Sequence, residues 1–173
     1  DAAAEKEGFP HFMLKAINQQ PAVIRTTLRG RVSEGSEEVQ LKDMNIGLDE
    51  LKACKQIHIV ACGTAWHAGM VGKYLIEKFT RVPVELDIAS EYRYRDPIIP
   101  ENTIMIPVSQ SGETADTLEA IRIAKSKGAK VASIVNAVGS SVARESHGVI
   151  YQQAGPEIGV ASTKAYTSQV TCF

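Results

Sequence analysis

Hydroxyl and amide side chains gather in one short segment, where an apolar run gives way to a helical pattern. Residues 104–108 are apolar and predict a buried strand, and apolar residues at helical spacing begin shortly after Thr114. The connecting turn contains Ser109, Gln110, Ser111, Gly112 and Thr114. The first N–H groups of a helix lack partners within the helix and carry the positive end of its dipole, so they attract anions. The segment therefore predicts an anion site, with phosphate the favoured ligand, although Ser111 or Thr114 could serve only as a helix cap.

Two other predicted turns also carry hydroxyl side chains. One follows a predicted strand and contains Gly63 and Thr64, which offer a backbone N–H and a hydroxyl, although Thr64 could instead be a plain helix cap. The other precedes the last predicted helix and contains Ser162 and Lys164, of which the lysine could pair with a phosphate or support the loop. Because the carboxyl ends of parallel strands meet at one edge of a sheet, the three turns are expected to converge on one crevice.

Other residues with reactive side chains are expected to be structural or have open roles. Glu113 could be a base, but a first-turn acid that complements the helix dipole is the favoured interpretation. His58 lies inside a predicted strand, and His67 has no partner at metal-binding spacing. Cys62 is expected to be a small buried residue, and the role of Glu157 is left open.

Composition excludes several classes of protein. The 173 residues carry a net charge of −1 and are 44% hydrophobic, so no broad attraction to nucleic acid or to an anionic membrane is expected. No apolar run reaches transmembrane length, and no signal-peptide pattern is present. The three cysteines form neither a disulfide framework nor a CxxC pattern, which favours a reduced, cytoplasmic setting. Neither GxGxxG nor GxxxxGK[ST] occurs, and no cofactor or metal is expected.

The order of predicted elements indicates the fold class. Strands alternate with helices, which implies parallel pairing, right-handed crossovers and a doubly wound five-stranded sheet with helices on both faces. The predicted strands are 57–62, 84–88, 104–108, 131–135 and 149–152. Before the sheet, residues 1–10 are predicted to be a linker or arm, and residues 11–54 a helical segment in which Pro21 ends one helix or begins the next. Both ends of the chain look cut, so a piece of a longer protein is expected.

Three segments together resemble the isomerase part of the glucosamine-6-phosphate synthases, which are glutamine–fructose-6-phosphate aminotransferases. They are SQSGETADTL (109–118), ACGT (61–64) and GPEIGVASTKA (155–165), and the resemblance runs from about His11 to the end. It implies that residues 55–173 are a sugar isomerase (SIS) domain, the first of two, cut short at its end. It also implies that the whole enzyme is a homodimer and carries a glutaminase domain and a second SIS domain. The implied ligands are fructose 6-phosphate and glucosamine 6-phosphate.

The resemblance also assigns roles to single residues. The positions that match the family's phosphate contacts are Ser109, Gln110, Ser111 and Thr114. Thr64 matches a residue beside the sugar, and the loop that closes the site is matched by Val160, Ser162 and Lys164. Ala65 departs from the family, which often has Ser there, so one hydroxyl contact to the sugar is absent.

The family's catalytic Glu, Schiff-base Lys and ring-opening His belong to its second SIS domain, and its nucleophilic Cys belongs to the glutaminase domain. None of these motifs occurs here, so no catalytic residue is expected in this chain. The expected behaviour is binding of a sugar phosphate without turnover. The alternative is a stand-alone SIS module that senses a sugar phosphate for a regulator.

Overall fold

Five strands form one parallel sheet in the computed structural model, which describes residues 5–33 and 35–173. The strands are β1 (Gln56–Ala61), β2 (Val84–Ile88), β3 (Thr103–Ser109), β4 (Lys130–Val135) and β5 (Gly148–Tyr151). Their order in the sheet is β2-β1-β3-β4-β5, and every neighbouring pair is parallel. The observed strands differ from the predicted ranges by at most one residue at either end. The predicted doubly wound five-stranded fold is therefore confirmed.

Seven helices surround the sheet in the described part of the chain. They are α1 (Phe12–Leu28), α2 (Leu48–Ala53), α3 (Thr64–Thr80), α4 (Ala89–Tyr94), α5 (Ala115–Ser126), α6 (Ser141–Glu145) and α7 (Lys164–Cys172). Helices α4, α5 and α6 bury apolar side chains against one face, and α3 and α7 cover the other. Helix α1 packs on the outside of α7. The central strands are thus covered on both faces, which explains their almost continuous apolar sequences.

Helix α1 runs through Pro21, where the sequence predicted an end or a new start. A proline has no N–H to donate to the carbonyl four residues earlier, which here is that of Ile17. The side-chain amide of Gln20 donates to this carbonyl instead, at 3.0 Å. The carbonyl left free by the proline therefore has a local partner, and the helix continues for another two turns.

The order of the strands places one pair of strand ends at the centre of the sheet. The chain moves outward from β1 to β2 and then returns to place β3 on the other side of β1. Ala61 at the end of β1 pairs with Val108 near the end of β3. Ligands of open α/β sheets bind where the strand order reverses in this way. The turns that follow β1 and β3 are therefore brought together.

The structure tests only part of the predicted domain organisation. Residues 1–4 of the predicted arm and residue 34 of the following loop lie outside the described residues. The domain limits at residues 10 and 54 stay predictions. No helix in the described ranges has the length and apolar character needed to cross a membrane.

Candidate functional site

A cavity of about 220 Å³ lies beyond the carboxyl ends of β1 and β3, between the starts of α3 and α5. Seven of the nine residues that the sequence singled out line it: Thr64, Ser109, Gln110, Ser111, Thr114, Val160 and Ser162. Gly63 and Lys164 do not. The three turns thus meet at one edge of the sheet, as the parallel arrangement requires. Their roles in binding remain predictions.

The turn after β3 is held by its own side chains. The Ser109 hydroxyl accepts a hydrogen bond from the N–H of Gly112 at 2.9 Å, and the Ser111 hydroxyl accepts one from the N–H of Glu113 at 3.3 Å. Gly112 has a φ of +67°, and a Cβ at this position would lie 2.1 Å from the hydroxyl oxygen of Ser140. Only glycine therefore fits this turn without displacing its neighbour.

Thr64 and Thr114, two of the three threonines that line the cavity, do not act as helix caps. Thr114 occupies the N-cap position of α5, but its side chain makes no capping hydrogen bond. Gly63 occupies the N-cap position of α3, so Thr64 is already the first helical residue. Neither threonine hydroxyl has a hydrogen-bond partner in residues 5–33 or 35–173. The plain capping interpretation is thus not seen for these two, and both hydroxyls are available to a ligand.

The starts of α3 and α5 supply the positive potential of the cavity. Across the described ranges, the backbone N–H groups of Thr64, Ala65, Ala115 and Asp116 donate no backbone hydrogen bond. Each helix start carries about half a positive elementary charge. Among the residues that line the cavity there is no lysine, arginine or histidine. An anion would therefore be held by N–H groups, hydroxyls and helix dipoles.

Glu157 is the one acidic residue among the described residues of the cavity wall, and its carboxylate already accepts hydrogen bonds from the protein. One oxygen accepts from the N–H and the hydroxyl of Thr163, at 2.9 and 2.7 Å, and the other from the hydroxyl of Ser162, at 3.3 Å. Thr163 is the N-cap residue of α7. Glu157 therefore places its charge at the positive end of that helix and fixes the loop that carries Ser162.

Lys164 contacts the N-terminal helix. It is buried, its Nζ donates to the side-chain oxygen of Gln19 on α1 at 2.8 Å, and it lines a second cavity beside that helix. Burial lowers the pKa of its ammonium group. Of the two roles considered, pairing with phosphate or supporting the loop, this contact favours support.

Glu113 caps a helix other than the one it precedes. Its carboxylate accepts from the N–H of Ser141 at the start of α6, at 2.8 Å. Hydrogen bonding from the Ser141 side chain, and then from this N–H, holds the pKa of Glu113 below its usual value. The expectation that it lies in the first turn of α5 is wrong, because α5 begins at Ala115. Cys62 is half-buried and lines the cavity, so it is less enclosed than expected.

The histidines and acids within residues 5–33 and 35–173 do not form a metal centre. His67 is exposed, makes a hydrogen bond through Nδ1 to the carbonyl of Gly63 at 3.1 Å, and is not part of the cavity wall. His58 is buried on β1, where its Nδ1 lies 2.9 Å from the hydroxyl of Tyr92. No group of three or more metal-ligating side chains is present in the part of the chain that the structure describes.

Three buried residues at the cavity were missed by the sequence reasoning. Thr117 and Gln169 line it, and Gln152 supports it from behind, with its side-chain amide donating to the carbonyl of Ser109 at 3.1 Å. Thr117 lies one turn after Thr114 on α5, so helical spacing could have identified it. Gln152 and Gln169 are separated from Ser109 by long stretches of sequence, and no local pattern signals their proximity.

Comparisons with known proteins agree with this geometry. The family model described as "SIS domain" matches residues 50–173. The chain is 60% identical to the glutamine–fructose-6-phosphate aminotransferase (isomerizing) of Clostridium acetobutylicum and 58% identical to that of Caldanaerobacter subterraneus. Each match covers 97% of this chain but only 28% of the relative.

A solved structure gives the same result. The C-terminal domain of glucosamine-fructose-6-phosphate aminotransferase from Francisella tularensis has a TM-score of 0.90 and 42% identity to this chain. The match covers 98% of this chain and 47% of that structure. The resemblance inferred from the three sequence segments is thereby confirmed. The chain belongs to the SIS domain family.

Proposed function

We propose that this chain is the sugar-phosphate-binding SIS domain of a glutamine–fructose-6-phosphate aminotransferase, which makes glucosamine 6-phosphate from fructose 6-phosphate and glutamine. The observation that carries the proposal is the cavity at which two helix starts and a set of free hydroxyls converge. The names of the two curated relatives support the choice of substrate. No described feature favours the alternative of a regulatory sensing module.

The phosphate of the substrate would lie against the start of α5. There the N–H groups of Ala115 and Asp116 and the hydroxyls of Ser111 and Thr114 can donate to its oxygens. Hydrogen bonds to a charged group contribute roughly 1.5–3 kcal/mol each, so a few such bonds suffice for a metabolite site. Thr64 on the opposite side of the cavity is then positioned for the sugar.

The loop before α7 would close over the bound sugar. Val160 lines the cavity but is fully exposed, whereas Ser162 is anchored through Glu157. A bound sugar would shield the Val160 side chain from water, so the loop gains apolar contact only when the site is filled. Closure of this kind positions a substrate and limits the access of water.

The chain is proposed to bind substrate without converting it. Ammonia must add at C2, and a proton must then move between C1 and C2, which requires a positioned acid–base group. The cavity wall holds no lysine or histidine, and the carboxylate of Glu157 is engaged at the start of α7. We assign the acid–base groups to a second SIS domain and the ammonia supply to a glutaminase domain. We further propose that the whole protein forms a homodimer and is located in the cytoplasm.

Calorimetric titration of fructose 6-phosphate and glucose 6-phosphate into the chain tests this function. Ser111→Ala should weaken binding by about tenfold or more, because it removes a hydrogen bond to a charged group. Ser126→Ala is the matched control, since its hydroxyl bonds to the carbonyl of Ile123 on the exposed side of α5. Failure of the unaltered chain to bind either sugar phosphate would contradict the proposal.

A turnover assay tests the second part. The chain is supplied with fructose 6-phosphate and ammonia, and the formation of glucosamine 6-phosphate is followed. No product is expected. Product formation above the rate without protein would show that the cavity contains an acid–base group after all, and would refute the assignment of catalysis to another domain.

A further inference from the structure

Gln169 is a buried polar residue at the inner wall of the cavity. It lies in the middle of α7, on the buried side that also carries Ala165 and Ser168. Only 1% of the residue is exposed, yet it forms part of the cavity wall. Its side chain is therefore enclosed by protein except where it meets the proposed sugar site.

The side-chain oxygen of Gln169 has no hydrogen-bond partner among the described residues. This Oε1 atom is buried, and it makes no hydrogen bond within residues 5–33 and 35–173. Burying an unpaired amide oxygen costs free energy that leucine or methionine at the same position would not incur. A donor group on a ligand in the cavity would supply the missing partner.

The chemistry of the amide identifies which part of the ligand it meets. Its carbonyl oxygen can pair only with a donor, and a phosphate dianion offers acceptors alone. The N–H groups and hydroxyls at the start of α5 already provide donors for the phosphate. A sugar hydroxyl can donate to the oxygen and also accept from the amide nitrogen, so it matches both ends of the side chain.

We propose that Gln169 binds a hydroxyl group of the sugar and thereby distinguishes a sugar phosphate from phosphate alone. The inference rests on the proposed function, because it assumes that the cavity holds a sugar phosphate. The binding site is then divided into two parts: the helix starts hold the phosphate, and the buried amide recognises the polyol.

The test compares two ligands and two kinds of variant. Fructose 6-phosphate and inorganic phosphate are titrated separately into the unaltered chain and into Gln169→Leu and Gln169→Met, of which the methionine preserves side-chain length. The affinity for fructose 6-phosphate should fall by about tenfold, while the affinity for inorganic phosphate stays within about twofold. The melting temperature should be unchanged or higher, because an unpaired buried amide has been removed. Ser133→Ala is the control, since its buried hydroxyl is also unpaired but lies outside the cavity wall.

Each outcome either supports or overturns the proposed role of Gln169. Selective loss of fructose 6-phosphate affinity with retained stability supports the role of Gln169. Unchanged affinity for both ligands overturns it, and so does equal loss of both together with a lower melting temperature, which would make the residue structural. If the unaltered chain binds neither ligand, the proposed function fails, and the role given to Gln169 fails with it.

Discussion

The side-chain amide of Gln152 donates a hydrogen bond of 3.1 Å to the main-chain carbonyl of Ser109, the residue that opens the turn at the cavity. The main-chain carbonyl of Gln152 in turn accepts from the hydroxyl of Thr27 on α1, at 2.7 Å, and from that of Ser168 on α7, at 2.8 Å. One residue just after β5 therefore connects the hydroxyl-rich turn to two helices. The N-terminal helix is thus part of the support of the site.

Replacing Gln152 with leucine should loosen this turn. The change removes the hydrogen bond to Ser109, and we expect a loss of about 1 kcal/mol in the free energy of unfolding and a weaker affinity for fructose 6-phosphate. Urea denaturation and calorimetry measure the two effects. Gln153→Leu is the control, because this neighbouring side chain is exposed and does not line the cavity. Equal behaviour of the two variants would show that Gln152 does not hold the turn.

Gly112→Ala should damage both the fold and the site. The new Cβ would lie 2.1 Å from the Ser140 hydroxyl oxygen, in addition to the strain of a positive φ. Gly128→Ala provides the comparison, since its φ is +87° but no atom lies within 4 Å of the added Cβ. We expect roughly 1 kcal/mol of destabilisation for Gly128→Ala and at least about 2 kcal/mol for Gly112→Ala. Thermal unfolding measures the difference, and equal losses would mean that the close approach is relieved by movement of Ser140.

The sequence was sufficient for the sheet and for the general position of the site. Each strand is a short apolar run bounded by turn residues, and the alternation with helices fixes the parallel arrangement, so Thr64 and Ser111 could be assigned to one edge. Gln152 and Gln169 could not be assigned, because each meets the site across a long stretch of sequence, Gln152 from the end of β5 and Gln169 from α7. The continuity of α1 through Pro21 was missed for a different reason. It is stabilised by a side-chain contact from Gln20, which propensity rules do not include.

Ala65→Ser should strengthen the binding of sugar phosphate. Ala65 is buried at the start of α3 and lines the cavity. The added hydroxyl can reach a ligand, and a neutral hydrogen bond contributes about 0.5–1.5 kcal/mol, which corresponds to a gain of roughly two- to tenfold in affinity. Calorimetry with fructose 6-phosphate measures the gain. An unchanged or lower affinity would show that the hydroxyl points away from the sugar.

Acid should destabilise the fold through His58. The ring is 1% exposed, with Nδ1 bonded to the Tyr92 hydroxyl and Nε2 3.6 Å from the carboxylate of Glu85. Burial lowers its pKa below the ordinary 6.5, an effect that Arg95 reinforces and that Glu85 and Asp87 oppose. Between the folded pKa and 6.5, His58 therefore binds a proton in the unfolded chain but stays neutral in the folded chain. Stability should be complete above pH 6.5 and should decrease as the pH falls below that value toward the folded pKa, by at most about 1.4 kcal/mol per pH unit.

The measurement is the free energy of unfolding from pH 7.5 to 5 for the unaltered chain and for His58→Gln. The variant should lose less stability over this range, whatever its stability at neutral pH, because glutamine does not titrate. His147→Gln is a necessary comparison, since burial and nearby lysines also lower the pKa of that ring. Its Nδ1 accepts from the N–H of Val131 at 3.0 Å, so its removal affects a different strand from the one that carries His58. The pH dependence of the unfolding free energy could instead change in His147→Gln and not in His58→Gln. The acid sensitivity would then belong to the β4 side of the sheet and not to the buried pair of His58 and Tyr92.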